Sequence, residues 1–305
     1  MAISQKIYGL IGYPVKHSLS ALMHNAAFAA LGINAEYRLF EIEPSKLEGF
    51  LFGFIKVADT QGEEFNSGDI TGFNVTIPHK VPAFLLVKDK IIGQSPDFSA
   101  MMTGAVNTVK RDGQKLVYAN TDVKGFTDSL IMDLGFKSEG ETVLVFGCGG
   151  AGRAVIAGLL QDGIGIKKIY IYETNQEAAA SAKKQFSSSI FEDKKDKIEF
   201  LTSAEAVAVK INELDLLVNA TPVGMKEGDG SVIDKQLLRK DLYVYDVVYN
   251  RETQLLQDAK GTGCNAVSGK GMLLYQGFAA FNFWFPGLPE KDRQKALEAM
   301  RKEIM

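Results

Sequence analysis

The sequence predicts an α/β protein of two domains, each built around a largely parallel β-sheet. Its 305 residues leave room for two domains, since roughly 100–200 residues per domain is usual. Short apolar runs alternate with amphipathic segments almost from the first residue, as they do where strands and helices alternate in a parallel sheet. A glycine-rich turn between an apolar run and an amphipathic segment begins a second unit near Glu141.

The first half of the chain contains three predicted strands and one well-defined helix. The strands are expected at residues 6–12, 35–42 and 70–78. Ser20 is expected to cap a helix that runs through Met23 and Phe28 and ends at Gly32. The polar residues 58–67 are expected to form an exposed connection or a helix end.

The second half begins with an apolar strand at residues 142–146, followed by the glycine-rich turn and a helix that ends at Gly163. Further strands are expected at residues 167–173, 214–220 and 243–249. The mixed charge run at 191–199 is expected to be a solvated loop. The chain ends in a predicted amphipathic helix whose apolar side chains should pack on a core: Ala296, Leu297, Met300 and Ile304.

The composition is that of a globular protein and argues against several functional classes. Hydrophobic residues make up 46% of the chain, and the formal net charge of −3 offers no positive excess for a nucleic-acid backbone. Two cysteines, Cys148 and Cys264, form neither a disulfide framework nor a zinc site, and the three histidines lack metal-ligand spacing. No apolar run reaches the roughly 18 residues of a membrane helix, and no signal-peptide core is present. We therefore expect a cytoplasmic protein that binds no metal, membrane or nucleic acid.

The glycine-rich turn, GCGGAG, matches the pattern G-x-G-x-x-G in a supporting context. A strand precedes it, a helix follows, and a second strand ends in an acidic residue about 20 residues further on. Gly147 would allow the tight turn, Gly149 the approach of a pyrophosphate, and Gly152 the packing of helix against strand. Gly150 and Ala151 complete a helix N-terminus that offers N–H groups to phosphate. The context predicts a Rossmann dinucleotide-binding domain, and the alternative is an ordinary glycine-rich turn.

The acidic residue is Glu173, whose carboxylate would accept hydrogen bonds from the adenosine ribose hydroxyls. A 2′-phosphate would meet its negative charge, and residues 174–176 supply no arginine to offset it. This pattern favours NAD over NADP. In the alternative, Glu173 points to solvent and Lys183 or Lys184 binds a phosphate.

Polar side chains cluster at the ends of the predicted strands in the first half. They lie in the segments 17–20 (HSLS), 74–80 (NVTIPHK), 104–108 (GAVNT) and 120–122 (NTD). Ligands of open α/β sheets bind outside the carboxyl ends of the strands, so these segments are expected to converge. Serines at a helix start suit a carboxylate, because the hydroxyls and the helix dipole both favour an anion. Amide, hydroxyl and carboxylate side chains suit a polyol.

With these residues the chain resembles the shikimate dehydrogenase family. Eight motifs follow the family's order: IGYPVKHSLSALMHNAAF, FNVTIPHK, GAVNT, NTDVKGF, the glycine turn, NATPVGM, DVVYN and GKGMLLYQG. The resemblance implies a substrate-binding catalytic domain at residues 1–121 and 270–305. It implies a Rossmann NAD(P)-binding domain at residues 122–269.

The resemblance also implies roles for individual residues. Lys80 and Asp122 are the implied catalytic pair, and Ser18 and Ser20 are implied to hold the substrate carboxylate. The implied neighbours of the ring hydroxyls are Asn74, Thr76, Asn107, Asp122, Tyr249 and Gln276. The implied neighbours of the nicotinamide half of the cofactor are Thr221, Val247, Gly269 and Met272.

The implied reaction is hydride transfer between shikimate, or the related quinate, and a nicotinamide dinucleotide. Lys80 is the candidate for moving the hydroxyl proton, because an amine can accept it and an ammonium can stabilise oxyanion charge. The alternative for Lys80 is a surface lysine after a Pro-His turn. Asp122 could instead orient Lys80, or cap a helix over residues 123–130.

Two positions depart from the family's pattern. Ala21 stands where the family commonly has proline, and Thr174 stands where many NADP-using members carry arginine. The second departure resembles the NAD-using quinate/shikimate branch. Other readings are a non-catalytic regulator that binds shikimate or quinate on the same scaffold, and a dehydrogenase of a related cyclic amino-acid precursor. The protein is expected to be a monomer or a homodimer.

Overall fold

The computed structural model describes residues 5–88, 98–113 and 115–305. The chain divides into two compact units, which we call unit 1 (Met1–Thr121 and Leu274–Met305) and unit 2 (Asp122–Leu273). Each contains a β-sheet with helices, so the α/β class predicted from the sequence is confirmed.

The strands are β1 (Lys6–Gly12), β2 (Ala35–Glu41), β3 (Lys56–Ala58), β4 (Glu64–Asn66), β5 (Ile70–Val75), β6 (Thr108–Asp112), β7 (Lys115–Ala119), β8 (Thr142–Phe146), β9 (Lys168–Tyr172), β10 (Ile198–Leu201), β11 (Leu216–Asn219), β12 (Tyr243–Asp246) and β13 (Asn265–Ser268). The α-helices are α1 (Ser20–Leu31), α2 (Leu47–Leu51), α3 (Lys80–Val87), α4 (Ser99–Thr103), α5 (Asp122–Met132), α6 (Gly150–Leu159), α7 (Gln176–Phe186), α8 (Ala204–Lys210), α9 (Gln254–Thr262), α10 (Lys270–Trp284) and α11 (Glu290–Ile304).

Unit 1 is built on a five-stranded sheet in the order β2-β1-β5-β6-β7. The three predicted strands β1, β2 and β5 are parallel, whereas β6 and β7 add an antiparallel edge that was not predicted. The expectation for residues 58–67 was wrong in part, because β4 lies there and pairs with β3 in a separate hairpin.

The direction of the two antiparallel strands, β6 and β7, decides where the polar segments next to them lie. Parallel pairing puts the carboxyl ends of β1 and β5 at one edge of the sheet, with Ile11 opposite Val75. Because β6 runs the other way, its first residue, Thr108, lies opposite Asn74 at that same edge. The end of β7 returns there, with Ala119 opposite Thr108. Residues 104–108 thus reach the edge through the beginning of a strand, not through a carboxyl end.

Helix α1 follows β1 and begins one residue earlier than a Ser20 cap would require. Ser20 is the first helical residue and Leu19 occupies the cap position, so the expected capping role of Ser20 was wrong. The Ser18 hydroxyl instead accepts a hydrogen bond from the Ser20 N–H at 3.2 Å. Gly32 ends the helix as predicted, in a left-handed conformation (φ 63°) in which its N–H reaches the Ala29 carbonyl.

Aromatic rings fill much of the core of unit 1. Phe40, Phe50 and Phe73 are fully buried, and the rings of Phe50 and Phe73 meet edge to face at 5.1 Å. Burying such a side chain stabilises a fold by roughly 1.5–3 kcal/mol. Helix α11 packs on α1, and Met300 and Ile304 are buried as predicted.

Unit 2 contains a six-stranded, fully parallel sheet in the order β10-β9-β8-β11-β12-β13. Numbered within the unit, this order is 3-2-1-4-5-6, which defines the Rossmann fold. The strands predicted near residues 142, 167, 214 and 243 are present as β8, β9, β11 and β12. The outer strands β10 and β13 were not predicted, and the run 191–199 is not a loop throughout, because β10 begins at Ile198.

Candidate active site

Buried amide and hydroxyl groups form a hydrogen-bonded network at the polar edge of the unit 1 sheet. The Asn74 side-chain amide donates to the Asn107 carbonyl at 3.1 Å and to the Thr108 hydroxyl at 2.9 Å. The Asn107 side-chain oxygen accepts from the Thr121 N–H at 2.7 Å. The Asn107 amide donates to the Thr121 hydroxyl at 3.0 Å and to Gln276 Oε1 at 3.5 Å. Asn74, Asn107 and Gln276, three of the predicted site residues, thus share one network.

The network fixes which way each amide faces. A backbone N–H can only donate and a backbone carbonyl can only accept, so the Thr121 N–H orients Asn107 and the Asn107 carbonyl orients Asn74. Both N–H groups of the Asn74 amide are donated, and its oxygen accepts from the Tyr37 hydroxyl at 2.8 Å. Only the second lone pair of that oxygen is left to accept from a ligand hydroxyl.

The two predicted carboxylate-binding serines lie where β1 passes into α1. The Ser18 hydroxyl donates to the Ser20 hydroxyl at 3.1 Å, so the two groups point to a common position at the helix start. Glu41, at the end of β2, accepts from the Val15 N–H at 3.2 Å and thereby holds the preceding loop. A carboxylate at this position would meet two hydroxyls and the positive end of the α1 dipole.

Thr76 and Lys80 follow β5 at the same edge of the sheet. The Thr76 N–H donates to the Ile11 carbonyl at 2.9 Å, and the Lys80 carbonyl accepts from the Val106 N–H at 2.9 Å. Both residues are half-buried, and Lys80 is the first residue of α3. His79, just before it, is buried and donates from Nε2 to the Ile42 carbonyl at 2.6 Å, so this histidine holds the chain in place.

The glycine turn of unit 2 connects β8 to α6 in the manner that the motif predicts. Gly147 has a φ of 88°, which disfavours any residue with a side chain. A Cβ on Gly152 would collide with the Gly147 carbonyl, so this glycine is needed for helix and strand to pack closely. A Cβ on Gly149 would meet nothing within 4 Å, so open space lies beside the turn at the N-terminus of α6. Gly150 and Ala151 are the first two residues of that helix, and the site fits a diphosphate.

The peptide at Cys148 is held on both sides. Its N–H donates to the Glu173 carboxylate at 2.9 Å, and its carbonyl accepts from Arg153 Nε at 3.3 Å. The other Glu173 oxygen accepts from the Asn175 N–H at 2.8 Å. Glu173 therefore lies against the turn, with its side chain half-buried. Burial, helped by the charge of Glu173, raises the pKa of the Cys148 thiol to about 12, so this thiol is inert.

Arg153 was not singled out in the sequence, although it is only 4% exposed. Its guanidinium donates to the Cys148 carbonyl and, at 2.8 Å, to the Ser181 hydroxyl of α7. No carboxylate of the described residues pairs with it, and burial lowers its pKa. An arginine directly after the glycine turn is the signal that could have revealed this contact.

A second network, also missed, supports the loop that carries Thr221. Asn219 and Asp246 are the last residues of the adjacent strands β11 and β12, and their side chains bond at 2.9 Å. The Asn219 oxygen accepts from the Thr221 N–H at 3.0 Å and the Thr221 hydroxyl at 2.7 Å. Asp246 also accepts from Thr253 at 2.5 Å. Burial raises the Asp246 pKa against the opposing effect of these hydrogen bonds.

The remaining predicted residues of unit 2 lie at or near the carboxyl ends of its last two strands. The Val247 N–H donates to the Asn219 carbonyl at 2.8 Å, and a Cβ on Gly269 would collide with the Val247 carbonyl. Met272 is buried in the first turn of α10. Tyr249 lines an open pocket of about 410 Å³ together with charged side chains of both signs: Arg251, Glu252, Lys260 and Lys270.

Asp122 is the first residue of α5 and is buried. It follows directly in the chain after Thr121, which belongs to the Asn107 network. Because the helix begins at Asp122 itself, its carboxylate lies in the first turn, not at a position before residues 123–130. A carboxylate there is favoured by the helix dipole.

The described residues offer neither a membrane-spanning helix nor a cluster of metal ligands. Within them, no helix is long and apolar enough to cross a membrane. Within the same residues, no group of three or more His, Cys, Asp or Glu side chains could hold a metal ion.

Unit 2 has a Rossmann sheet with a glycine turn and an acid against that turn, and unit 1 is an α/β unit rich in buried amides and hydroxyls. These features are typical of a nicotinamide-dinucleotide-dependent oxidoreductase. The family model for the shikimate dehydrogenase substrate binding domain matches residues 10–109. A shikimate dehydrogenase (NADP(+)) of Geobacillus kaustophilus is 35% identical, and the alignment covers 98% of this chain and all of that one. The chain belongs to the shikimate dehydrogenase family.

Solved structures agree with this assignment. Shikimate 5-dehydrogenase from Listeria monocytogenes, in complex with shikimate and NAD, superposes with a TM-score of 0.77 at 30% identity, covering 100% of this chain and 99% of that one. Quinate dehydrogenase from Corynebacterium glutamicum, in complex with NAD, superposes with a TM-score of 0.77 at 25% identity, covering 98% and 100%. The family and the enzyme class predicted from the sequence are confirmed, and the non-catalytic regulator is not favoured.

Proposed function

We propose that this enzyme interconverts shikimate and 3-dehydroshikimate with NAD as the preferred cofactor, and that it also accepts quinate. The observation that carries the substrate class is the edge of the unit 1 sheet. There, a serine pair at a helix start and a row of oriented amides come together in a chain related to shikimate dehydrogenases. A small acid with several ring hydroxyls has the donors and acceptors that these groups require.

Ser18 and Ser20 bind the substrate carboxylate in this proposal, since their hydroxyls converge at the positive end of α1. Asn107, Gln276 and the free lone pair of Asn74 bind ring hydroxyls. Thr76 and Tyr249 complete the ring contacts on the strength of the resemblance.

Lys80 and Asp122 are proposed as the catalytic pair on the same resemblance. The nicotinamide, when bound, accepts or returns the hydride. Lys80 takes up or returns the proton of the reacting hydroxyl and stabilises negative charge on its oxygen. Asp122 holds Lys80 and a substrate hydroxyl in orientation.

The cofactor preference rests on Glu173. Its carboxylate is fixed against the glycine turn by two backbone N–H groups, so a 2′-phosphate on the adjacent ribose would meet a negative charge that cannot swing away. Lys183 and Lys184 of α7 are exposed, and Arg153 is engaged by Cys148 and Ser181. The printed name of the Geobacillus relative specifies NADP(+), whereas the Listeria and Corynebacterium structures contain NAD, so the choice has to be measured.

A spectrophotometric assay that crosses shikimate and quinate with NAD and NADP tests the proposal. Activity with NAD on both acids is the expected result. Preference for NADP on shikimate would overturn the assigned role of Glu173 in cofactor choice but keep the enzyme class. Turnover of shikimate alone would remove quinate. Absence of turnover in all four combinations would contradict the proposed function.

A further inference from the structure

Tyr37 lies in β2 and is buried. It is not part of any motif that identified the family, and it is not among the residues proposed to bind the substrate. Its side chain and backbone nevertheless contact both the helix that begins with Ser20 and the strand that carries Asn74.

Two hydrogen bonds and one ring stack, all among the described residues, join Tyr37 to α1. The Tyr37 N–H donates to Asn25 Oδ1 at 2.8 Å, and the Asn25 amide donates back to the Tyr37 carbonyl at 3.1 Å. The Tyr37 ring stacks on the ring of His24 at 4.5 Å with an interplanar angle of 13°. His24 lies one helical turn after Ser20, so Tyr37 fixes the helix that begins with Ser20, one of the two proposed carboxylate ligands.

The Tyr37 hydroxyl makes the contact with the amide network. Tyr37 donates to Asn74 Oδ1 at 2.8 Å, and the Asn74 amide in turn holds the Asn107 carbonyl and the Thr108 hydroxyl. All four residues are buried, so no water can replace a lost donor without a rearrangement. The position of Asn107 therefore depends on Tyr37 through one intermediate side chain.

We infer that Tyr37 is a positioning residue that sets the separation between the carboxylate-binding serines and the hydroxyl-binding amides. The small, rigid ring of the substrate has to reach the serines and the amides at once. An error in the separation of these two groups therefore weakens substrate binding and misorients the substrate. The inference rests on the substrate roles proposed for Ser20 and Asn107.

The test is Tyr37→Phe, which keeps the stacked ring and the backbone contacts and removes only the hydroxyl. We expect the KM for shikimate to rise about tenfold, the effect of losing one buried hydrogen bond, while the KM for NAD stays within about twofold. Tyr8→Phe is the matched control. Tyr8 is also a buried tyrosine of unit 1, and its hydroxyl makes no hydrogen bond with the described residues, so this change should alter neither KM.

Combining Tyr37→Phe with Asn107→Ala separates positioning from general destabilisation. If Tyr37 acts through the network, its substitution adds less than about twofold to the KM once the Asn107 side chain is gone. An unchanged shikimate KM in Tyr37→Phe, or full additivity with Asn107→Ala, overturns the inference. Failure of the wild-type enzyme to turn over shikimate would instead contradict the proposed function, so the two failures are distinguishable.

Discussion

At the scale of single residues, several side chains of the candidate site bind backbone groups and so fix the geometry of others. Glu173 and Arg153 hold the two ends of the Cys148 peptide, which lies between two glycines. Asn219 does the same for the loop at Thr221. A peptide flanked by glycines has many conformations open to it, so such contacts keep the turn ready for a ligand.

The double role of Glu173 leads to a prediction about cofactor choice. Glu173→Gln keeps an oxygen for the Cys148 N–H and removes the charge, so the KM for NADP should fall about five- to tenfold while that for NAD changes little. Glu173→Ala removes both functions, so the KM should rise for both cofactors. Steady-state kinetics of the two variants decide the matter. A gain with NADP in Glu173→Ala without a loss with NAD would mean that the carboxylate acts by charge alone.

Lys80 yields a second prediction at this scale. Lys80→Ala should lower kcat by about 10²–10⁴-fold, the usual contribution of a proton-transfer group, and raise the KM for shikimate far less. Lys46→Ala is the control, because Lys46 is an exposed lysine of unit 1 whose ion pair among the described residues is with Glu43 on the surface. A variant at Lys80 that retains most of its kcat and loses only affinity would contradict the catalytic role.

Sequence alone could predict residues that stand in recognisable motifs, but not their partners. Ser18, Asn107 and Glu173 could be predicted as site residues because of their types and their places in motifs near the ends of strands or helices. Tyr37 and Arg153 were missed because their roles depend on contacts with distant parts of the chain, 37 residues away at Asn74 and 28 at Ser181. No local pattern records such pairings.

At the scale of elements, the strands that the sequence predicted are mostly those buried in the sheets. Strand β8 has all five residues buried and reads as a continuous apolar run. The outer strands β10 and β13 were missed because most of their residues are partly or fully exposed, so neither an apolar run nor a strict alternation marks them. The short strand β4 has no fully buried residue, and its hairpin partner supplies the pairing that its own sequence does not predict.

The glycine turn allows an element-scale prediction in which two similar substitutions have different effects. Gly149→Ala adds a methyl group to open space, with a φ of −66° that alanine tolerates, so the free energy of unfolding should stay the same. The KM for NAD should nevertheless rise about tenfold or more, because the methyl group occupies the space offered to the diphosphate. Gly152→Ala forces a methyl group against the Gly147 carbonyl and should destabilise unit 2 by about 1–3 kcal/mol.

Denaturant unfolding and cofactor kinetics, measured on both variants, separate these effects. An unchanged KM for NAD in Gly149→Ala would show that the diphosphate lies elsewhere. An unchanged free energy of unfolding in Gly152→Ala would show that helix and strand can move apart at this turn.

At the scale of the whole molecule, each unit has its own sheet and its own buried core, so one free energy of unfolding does not describe the chain. The single tryptophan, Trp284, is buried in unit 1 and lies 5.2 Å from the ring of His24. Its fluorescence therefore reports the unfolding of unit 1 in the intact protein.

His24 makes the stability of unit 1 dependent on pH. It is fully buried, neither ring nitrogen has a hydrogen-bond partner among the described residues, and burial lowers its pKa from 6.5 to about 3. Between these values the unfolded chain binds a proton that the folded chain does not, so the free energy of unfolding falls as the pH falls. Above about pH 6.5 the lowered pKa of His24 does not affect the free energy of unfolding. Below that pH it decreases the free energy of unfolding by up to about 1.4 kcal/mol per pH unit. The lowered pKa of His79 acts in the same direction.

His24→Phe keeps a flat ring against Tyr37 and removes the titrating group, so it should flatten the pH dependence of the Trp284-detected unfolding between pH 6 and pH 4. The comparison of the two proteins at pH 8 provides the control, because His24 is neutral there in both the folded and the unfolded state and any difference reflects packing alone. A slope that matches the wild type would mean that His24 reaches solvent or a partner when it is protonated. In that case the burial of this ring would contribute nothing to the sensitivity of unit 1 to acid, and His79 and the other titrating groups would have to account for it.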